Sequence, residues 1–487
     1  MNPSSKLILS EHERNELWRY VIGAVEDYAK KIGAARIAPE LEVEKMRALL
    51  KPFTFDVALD PLQAVDFVVQ GLWQHQVHTP HPRYFGLFNP ATTTMGIAAD
   101  ALVAAFNPQL AAWSHAPLAV EIERHLVRAF GERFGYDPAQ TDGTFASGGE
   151  EANHTAILTA LVQTFPDFDR KGLRGLTSQP ALYVSGQSHH SLLKAARFCG
   201  LGTDAVREVP VNGNFQMDVT ALASQIGKDR SVGFAPFMVV ATAGTTNAGI
   251  VEPIAEIADV AAGEGLWFHV DAAWGGAAVL VPELRHVLEG IERADSITFD
   301  AHKWLSVPMA AGLYLTRHKD ILHRTCRITT DYMPRDATGL DVVDPYVHSL
   351  QWSRRFTGLK VFLSLAVAGW DGYERTLRHQ AAMGDLLRQR LVASKWKVVN
   401  QTRLPVVCFV DEENANGESA AYLDAIASAV VSAGKAWIST TRLDENTPVL
   451  RACVTNYRTE AEDVFALIQA LNEARQEAHK VQMEKQR

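Results

Sequence analysis

Two short apolar runs each end in residues able to do chemistry. Phe268-His269-Val270 leads into Asp271-Ala272-Ala273-Trp274-Gly275, and Ser296-Ile297-Thr298-Phe299 leads into Asp300-Ala301-His302-Lys303-Trp304. Runs of this composition read as strands buried on both faces, and the residues past the carboxyl ends of such strands are where α/β proteins place their reactive groups. A carboxylate there can keep a ring nitrogen protonated. A lysine amine there can form a Schiff base with an aldehyde. Asp271 and Lys303 together supply the acid and the amine that pyridoxal phosphate needs to act as an electron sink. A plain surface ion pair is the competing reading, and the apolar runs before both residues argue against it.

Other segments can position these two. In Thr144-Phe145-Ala146-Ser147-Gly148-Gly149-Glu150-Glu151-Ala152-Asn153, a glycine pair opens a helix whose apolar face is Ala156, Ile157, Ala160, Leu161 and Phe165. Free amides and the helix dipole at such a start attract phosphate, and glycine lets the backbone come close. Ala181 to Ser185 reads as a strand followed by Gly186-Gln187-Ser188-His189-His190. Phe237 to Ala241 reads as another, ending in Thr242-Ala243-Gly244-Thr245-Thr246-Asn247-Ala248-Gly249. Ile254 to Ala262 is a crossover helix, Leu266 to Val270 the next strand, and Ala311 to Leu315 one more. This alternation implies an α/β fold with a mainly parallel sheet and right-handed crossovers.

The segments H-V-D-A-A-W-G and D-A-H-K-W resemble the pyridoxal-phosphate-dependent group II amino-acid decarboxylases, which include the aromatic amino-acid, glutamate, cysteine sulfinate and diaminobutyrate enzymes. The likeness runs from about His81 to about Lys360, with an echo near Arg451. It implies an aspartate-aminotransferase-like (fold type I) large domain and decarboxylation of an L-amino acid to its amine with release of carbon dioxide. It also implies a homodimer with the site at the subunit interface. Lys303 would carry the cofactor and Asp271 would face its ring nitrogen. His189 would lie over the ring, with Thr246, Ala273, Asp300, His302, Gly148, Gly149 and Glu150 around it. Many relatives have Ser where this chain has Glu150, so Glu150 is expected to give only its amide, its carboxylate turned away. The resemblance places His81, Leu87 and Arg451 beside the substrate and makes Tyr332, in the long loop Cys326 to Ser349, the proton donor. Leu87 and Ala111 stand where aromatic decarboxylases place aromatic walls, which weakens an aromatic substrate assignment. A carbon–carbon aldehyde lyase or an oxidative deaminase on the same fold is the alternative. Related oxidative enzymes often have Phe at the loop position, so Tyr332 favours simple decarboxylation.

Residues 1–80 are expected to form a helical segment that packs across the dimer, with helices over Glu11 to Ile32 and Pro61 to Gln74. Residues 81–360 are expected to form the cofactor domain and 361–487 a small α+β domain. In that last part the patterns give helices over Tyr373 to Val392, Ala420 to Ala433 and Glu460 to Ala474, a strand over Leu450 to Asn456, and a frayed tail from Gln476. With 47% apolar and 21% charged residues over 487 positions, the composition is that of an ordinary globular enzyme. A net charge of −9 with no basic stripe argues against nucleic acid as a partner. Cys199, Cys326, Cys408 and Cys453 have neither metal nor redox spacing and read as free thiols. Met1 to His12 lacks the apolar core of a signal peptide, and Asp100 interrupts the apolar stretch Met95 to Phe106. No membrane association is expected, and a cytoplasmic protein is.

Overall fold

The computed structural model describes residues 7–40, 42–328, 333, 339–414 and 417–485. Three helices come first: α1 (Glu11–Lys31), α2 (Val43–Leu50) and α3 (Pro61–Gln74). Ser10 caps α1 in a reciprocal box with Glu13, and Asp60 caps α3 just before Pro61, the first helical position. None of the three has a fully buried residue, and Trp18, Ile22, Val68 and Leu72 are all more than half exposed. Helices α4 (Thr94–Phe106) and α5 (Pro117–Arg133) lead into the large sheet.

That sheet has seven strands: β1 (Asp142–Ala146), β2 (Pro180–Ser185), β3 (Val206–Val209), β4 (Ala235–Thr242), β5 (Trp267–Asp271), β6 (Ser296–Asp300) and β7 (Gly312–Thr316). Their order is β1-β7-β6-β5-β4-β2-β3. Only β7 runs against its neighbours, so the sheet is parallel apart from one strand. Alternate residues feed two cores. Tyr183, Val239, Phe268, Val270, Ile297 and Phe299 face one, while Leu182, Val184, Val240, Trp267 and Tyr314 face the other. The second face is covered by α6 (Gly149–Thr164), which buries Ala152, Asn153, Ala156, Ile157, Ala160 and Leu161.

A smaller four-stranded sheet follows: β8 (Trp396–Val398), β9 (Val406–Asp411), β10 (Ser439–Arg442) and β11 (Pro448–Cys453), all antiparallel, in the order β10-β11-β9-β8. The stretch around Tyr84 and Phe85 adds to it, since Tyr84 pairs with Trp437, and the Phe85 carbonyl accepts from Cys453 N. The two sheets are joined by a helix over Gly358–Ala393 that kinks at Gly369, where φ is +64°. The chain is thus of mixed α/β class, with a large mostly parallel sheet, a small antiparallel one and a helical N-terminal segment. One expectation fails locally: the final helix runs over Ala461–Lys485, through the tail expected to fray. Among the described residues no helix is long and apolar enough to cross a membrane.

Candidate active site

Strand register builds the site. Thr242, Asp271 and Thr298 are partners across β4, β5 and β6, so their side chains form one polar row at the carboxyl ends of three parallel strands. The row faces α6, whose Asn153 reaches down to it. Asn153 Nδ2 donates to Asp271 Oδ2 at 2.9 Å, and the Ala273 amide donates to Oδ1 at 3.1 Å. Asp271 is 5% exposed. A carboxylate this buried costs several kcal/mol unless donors meet it, and each of its oxygens here accepts one N–H and keeps lone pairs for another donor.

A cavity opens above Asp271. It is lined by Lys303, His189, Thr246, Asp300, Gly149 and Phe88, among others. Lys303 follows β6 in a tight turn, its amide donating to the Asp300 carbonyl, and its Nζ lies 3.0 Å from Asp300 Oδ2. His189 Nδ1 accepts from the Ser191 amide at 3.2 Å. Burial holds its imidazole below the ordinary range, against the opposing pull of Asp271. Thr246 belongs to a turn that begins with Gly244 at φ +96°, where an added Cβ would lie 2.9 Å from the Trp274 ring. The start of α6 forms another wall: a Cβ on Gly149 would come within 2.9 Å of Asp300 Oδ2. The close approach needs glycine, and it leaves the first-turn amides facing outward.

These features fit pyridoxal phosphate. A buried carboxylate with spare lone pairs suits a protonated ring nitrogen, a lysine amine stands at the rim of the same cavity, and a glycine-opened helix start suits a phosphate. Glu150 is consistent with that use. Its carboxylate pairs with Lys194 Nζ at 2.6 Å on the half-exposed outer side of α6.

The other residues singled out in the sequence fall as follows. Ala273 lines the cavity. His302 is 6% exposed and stands behind the wall: its Nδ1 accepts from the Ala311 amide at 3.1 Å, and its ring is held below its usual range by burial. Gly148 separates it from the cavity, with His302 Cε1 only 3.5 Å from where a Gly148 Cβ would stand. Arg451, on β11, is 3% exposed. Its Nε donates to the carbonyls of Thr246 and Asn247 at 3.0 and 3.2 Å, and its Nη1 donates to the Gly86 carbonyl at 2.6 Å. Its guanidinium packs 5.1 Å over the Phe88 ring, and Nη2 is buried without a partner. No carboxylate bridges it among the described residues.

His81 and Leu87 are not brought to the cavity within this chain. His81 is buried beside the small sheet, accepting from the Arg83 amide at Nδ1. Leu87 is 51% exposed while its neighbour Phe88 turns inward at a bend, where the Asn89 amide donates to the Leu87 carbonyl at 3.0 Å. Tyr332 lies outside the described residues. Leu110 and Ala111 are buried in their own chain. Phe88 and Asn153 carry weight that the sequence did not reveal. Asn153 lies one helical turn past Gly149, on the face that buries Ala152 and Ala156, and a polar residue among alanines was the available signal.

Comparisons with known proteins agree with this geometry. The family described as "Pyridoxal-dependent decarboxylase conserved domain" matches residues 44–411. The aromatic-L-amino-acid decarboxylase of Bacillus atrophaeus is 28% identical over 470 residues, 96% of either chain. Human cysteine sulfinic acid decarboxylase is 31% identical over 399 residues, covering 81% of this chain and 80% of that one. The crystal structure of mouse CSAD superposes with a TM-score of 0.89 at 28% identity, covering 96% of this chain and 99% of that one. The chain belongs to the pyridoxal-dependent decarboxylase family. It is a carboxy-lyase that uses pyridoxal phosphate to decarboxylate an amino acid; the lyase and oxidative alternatives are not favoured.

Proposed function

We propose that Lys303, Asp271, His189 and Tyr332 run the decarboxylation of an L-amino acid, and that two copies of the chain pair to complete the site. Pyridoxal phosphate, when bound, supplies a conjugated, protonated ring into which the electrons of the breaking Cα–carboxylate bond can move. The remaining work falls to the protein. Lys303 would hold the cofactor through its Nζ at the rim of the cavity. Asp271 holds the proton on the ring nitrogen. His189, with Nδ1 already engaged by the Ser191 amide, has Nε2–H left and would bind and orient the substrate carboxylate. The amides of Gly149 and Glu150, with Thr246, would hold the phosphate end. Arg451, three of whose donor contacts go to backbone carbonyls, keeps Nη2 for a substrate carboxylate. Tyr332 delivers a proton to the substrate Cα once carbon dioxide has left. Leu87, half exposed, would act at the substrate side of a site completed by the partner.

The observation that carries this reading is one buried cavity lined by both Lys303 and Asp271. The dimer is supported by the apolar side chains that α1 and α3 leave in the open, Trp18 and Ile22 at 56% and 61% exposure. A cytoplasmic setting is supported by four cysteines that are all free thiols. The test is borohydride reduction of the loaded enzyme followed by peptide mapping. Pyridoxyl label on Lys303 is expected, and label absent from Lys303 rejects the reading. Carbon dioxide release from aromatic, acidic, sulfinate and diamino L-amino acids then identifies the substrate class.

A further inference from the structure

Beneath Asp271, on the α6 face of the sheet, side chains from β5, β6 and α6 are joined end to end. Trp267 Nε1 donates to Ser296 Oγ at 2.9 Å. Ser296 Oγ lies 2.8 Å from His269 Nδ1, and His269 Nε2 lies 3.1 Å from Asn153 Oδ1. Asn153 Nδ2 completes the path to Asp271 Oδ2 at 2.9 Å. The members are 0 to 5% exposed, so bulk water does not compete for these bonds.

The direction of the path is fixed from its Asp271 end. An ionised carboxylate only accepts, so the Asn153 amide presents N–H to Asp271 and its carbonyl oxygen to His269. An indole only donates, so Ser296 accepts from Trp267. The Asn153 carbonyl oxygen requires His269 to donate at Nε2, so the neutral imidazole accepts at Nδ1 from the Ser296 hydroxyl. Burial pushes His269 down to about 4, against the pull of Asp271, which keeps the ring neutral as that tautomer requires. Filling space does not account for the arrangement. Asn153 is already satisfied without His269, because Thr298 Oγ1 donates to its Oδ1 at 2.7 Å and Ser191 Oγ accepts from its Nδ2 at 2.9 Å. An apolar residue at 269 would suit a strand whose neighbour Val270 is fully buried.

We propose that Trp267, Ser296, His269 and Asn153 act as positioning residues that polarise the N–H given to Asp271 and so keep the proton shared between this acid and the cofactor on the ring nitrogen. Each bond accepted along a buried chain strengthens the next donor, and a carboxylate that accepts a stronger N–H is a weaker base. The proposal rests on the reading of Asp271 as the partner of the ring nitrogen. The other titratable groups facing Asp271 or its cavity are Glu150, His189, Glu252, Asp300 and Lys303, and none is altered by the variants below.

The test loads the holoenzyme with pyridoxal phosphate isotope-labelled at the ring nitrogen and reads that nitrogen's NMR shift at one fixed pH. The wild type is expected to show a protonated nitrogen. His269→Leu cuts the chain and is expected to move the shift toward the unprotonated value, with the proton equilibrium changed about tenfold, as weakening a hydrogen bond to a charged group does. His269→Gln, whose single amide can both accept and donate, restores the wild-type shift. Asn153→Leu moves it further than His269→Leu. A His269→Leu holoenzyme with the wild-type shift overturns the proposal. If that variant does not fold, Trp267→Phe decides: a smaller move in the same direction supports the chain, and no move overturns it. An unprotonated nitrogen in the wild type is a separate result, which rejects the role of Asp271 itself and the chain with it.

Discussion

Asp271 closes β5 and Asp300 closes β6, one strand apart on the same sheet, and the protein holds them in different ways. Asp271 is met by neutral N–H groups of the frame, one from α6 and one from the backbone of its own turn. Asp300 leans on a side chain, Lys303 Nζ at 3.0 Å, with His302 Nε2 at 3.9 Å, and its Oδ1 is buried without a partner. The first carboxylate is therefore set before any ligand arrives, while the second is tied to the amine proposed to hold the cofactor. One strand end is held by the frame, and its neighbour is held by a lysine side chain.

The largest break in this contrast comes from removing that lysine. Lys303→Ala is expected to reduce carbon dioxide release to background, with borohydride label lost from the peptide, and retained turnover would reject its role. Next comes the fixed charge. Asp271→Asn keeps the shape but not the ionised acceptor, and kcat is expected to fall by about 10²–10³, the usual scale for one preorganised electrostatic partner. Asp300→Asn still offers Lys303 an oxygen, so turnover is expected to fall by about tenfold at most, the difference between a charged and a neutral hydrogen bond. A fall as deep as that of Asp271→Asn would mean the two strand ends are not distinct.

A third buried carboxylate sharpens the comparison. Glu252 accepts from the Thr242 amide at 2.7 Å, in the strand beside Asp271, and burial raises it to about 7. Its folded value lies above its unfolded one of 4.5. The folded protein thus binds more protons between those values, and stability falls as pH rises from about 4.5 to about 7. A shift of this size corresponds to about 3 kcal/mol at most. Glu252→Gln is expected to flatten that decline, raising Tm at pH 8 more than at pH 5. Equal shifts at both pH values would show that Glu252 titrates normally.

The two strand ends were legible in the sequence because β5 and β6 are buried on both faces, and a continuous apolar run that stops at a charged residue marks the end of such a strand. The Pro61–Gln74 helix was equally legible, since Asp60 and Pro61 mark its start. What stayed hidden depends on pairing across long separations. The reversal of β7 between β1 and β6 leaves no trace in its five residues. Arg451 gave no sign that backbone carbonyls 205 and 365 positions away would engage it. His81 and Leu87 were chosen by resemblance, and the bend over residues 86–88 turns Phe88 rather than Leu87 toward Lys303, its ring 5.9 Å from Nζ. Asn153 escaped notice because its partners lie on other elements.

The row of Thr242, Asp271 and Thr298 exists only because three parallel strands are in step. Sliding β5 by a single residue would turn the acid to the opposite side and bring Val270 or Ala272 to its place. A vitamin-derived ligand can then lodge only in molecules whose sheet has zipped correctly, so its yellow colour becomes a gauge of faithful folding. Single-residue deletions inside β5 should give colourless protein even where enough of the chain survives to be purified.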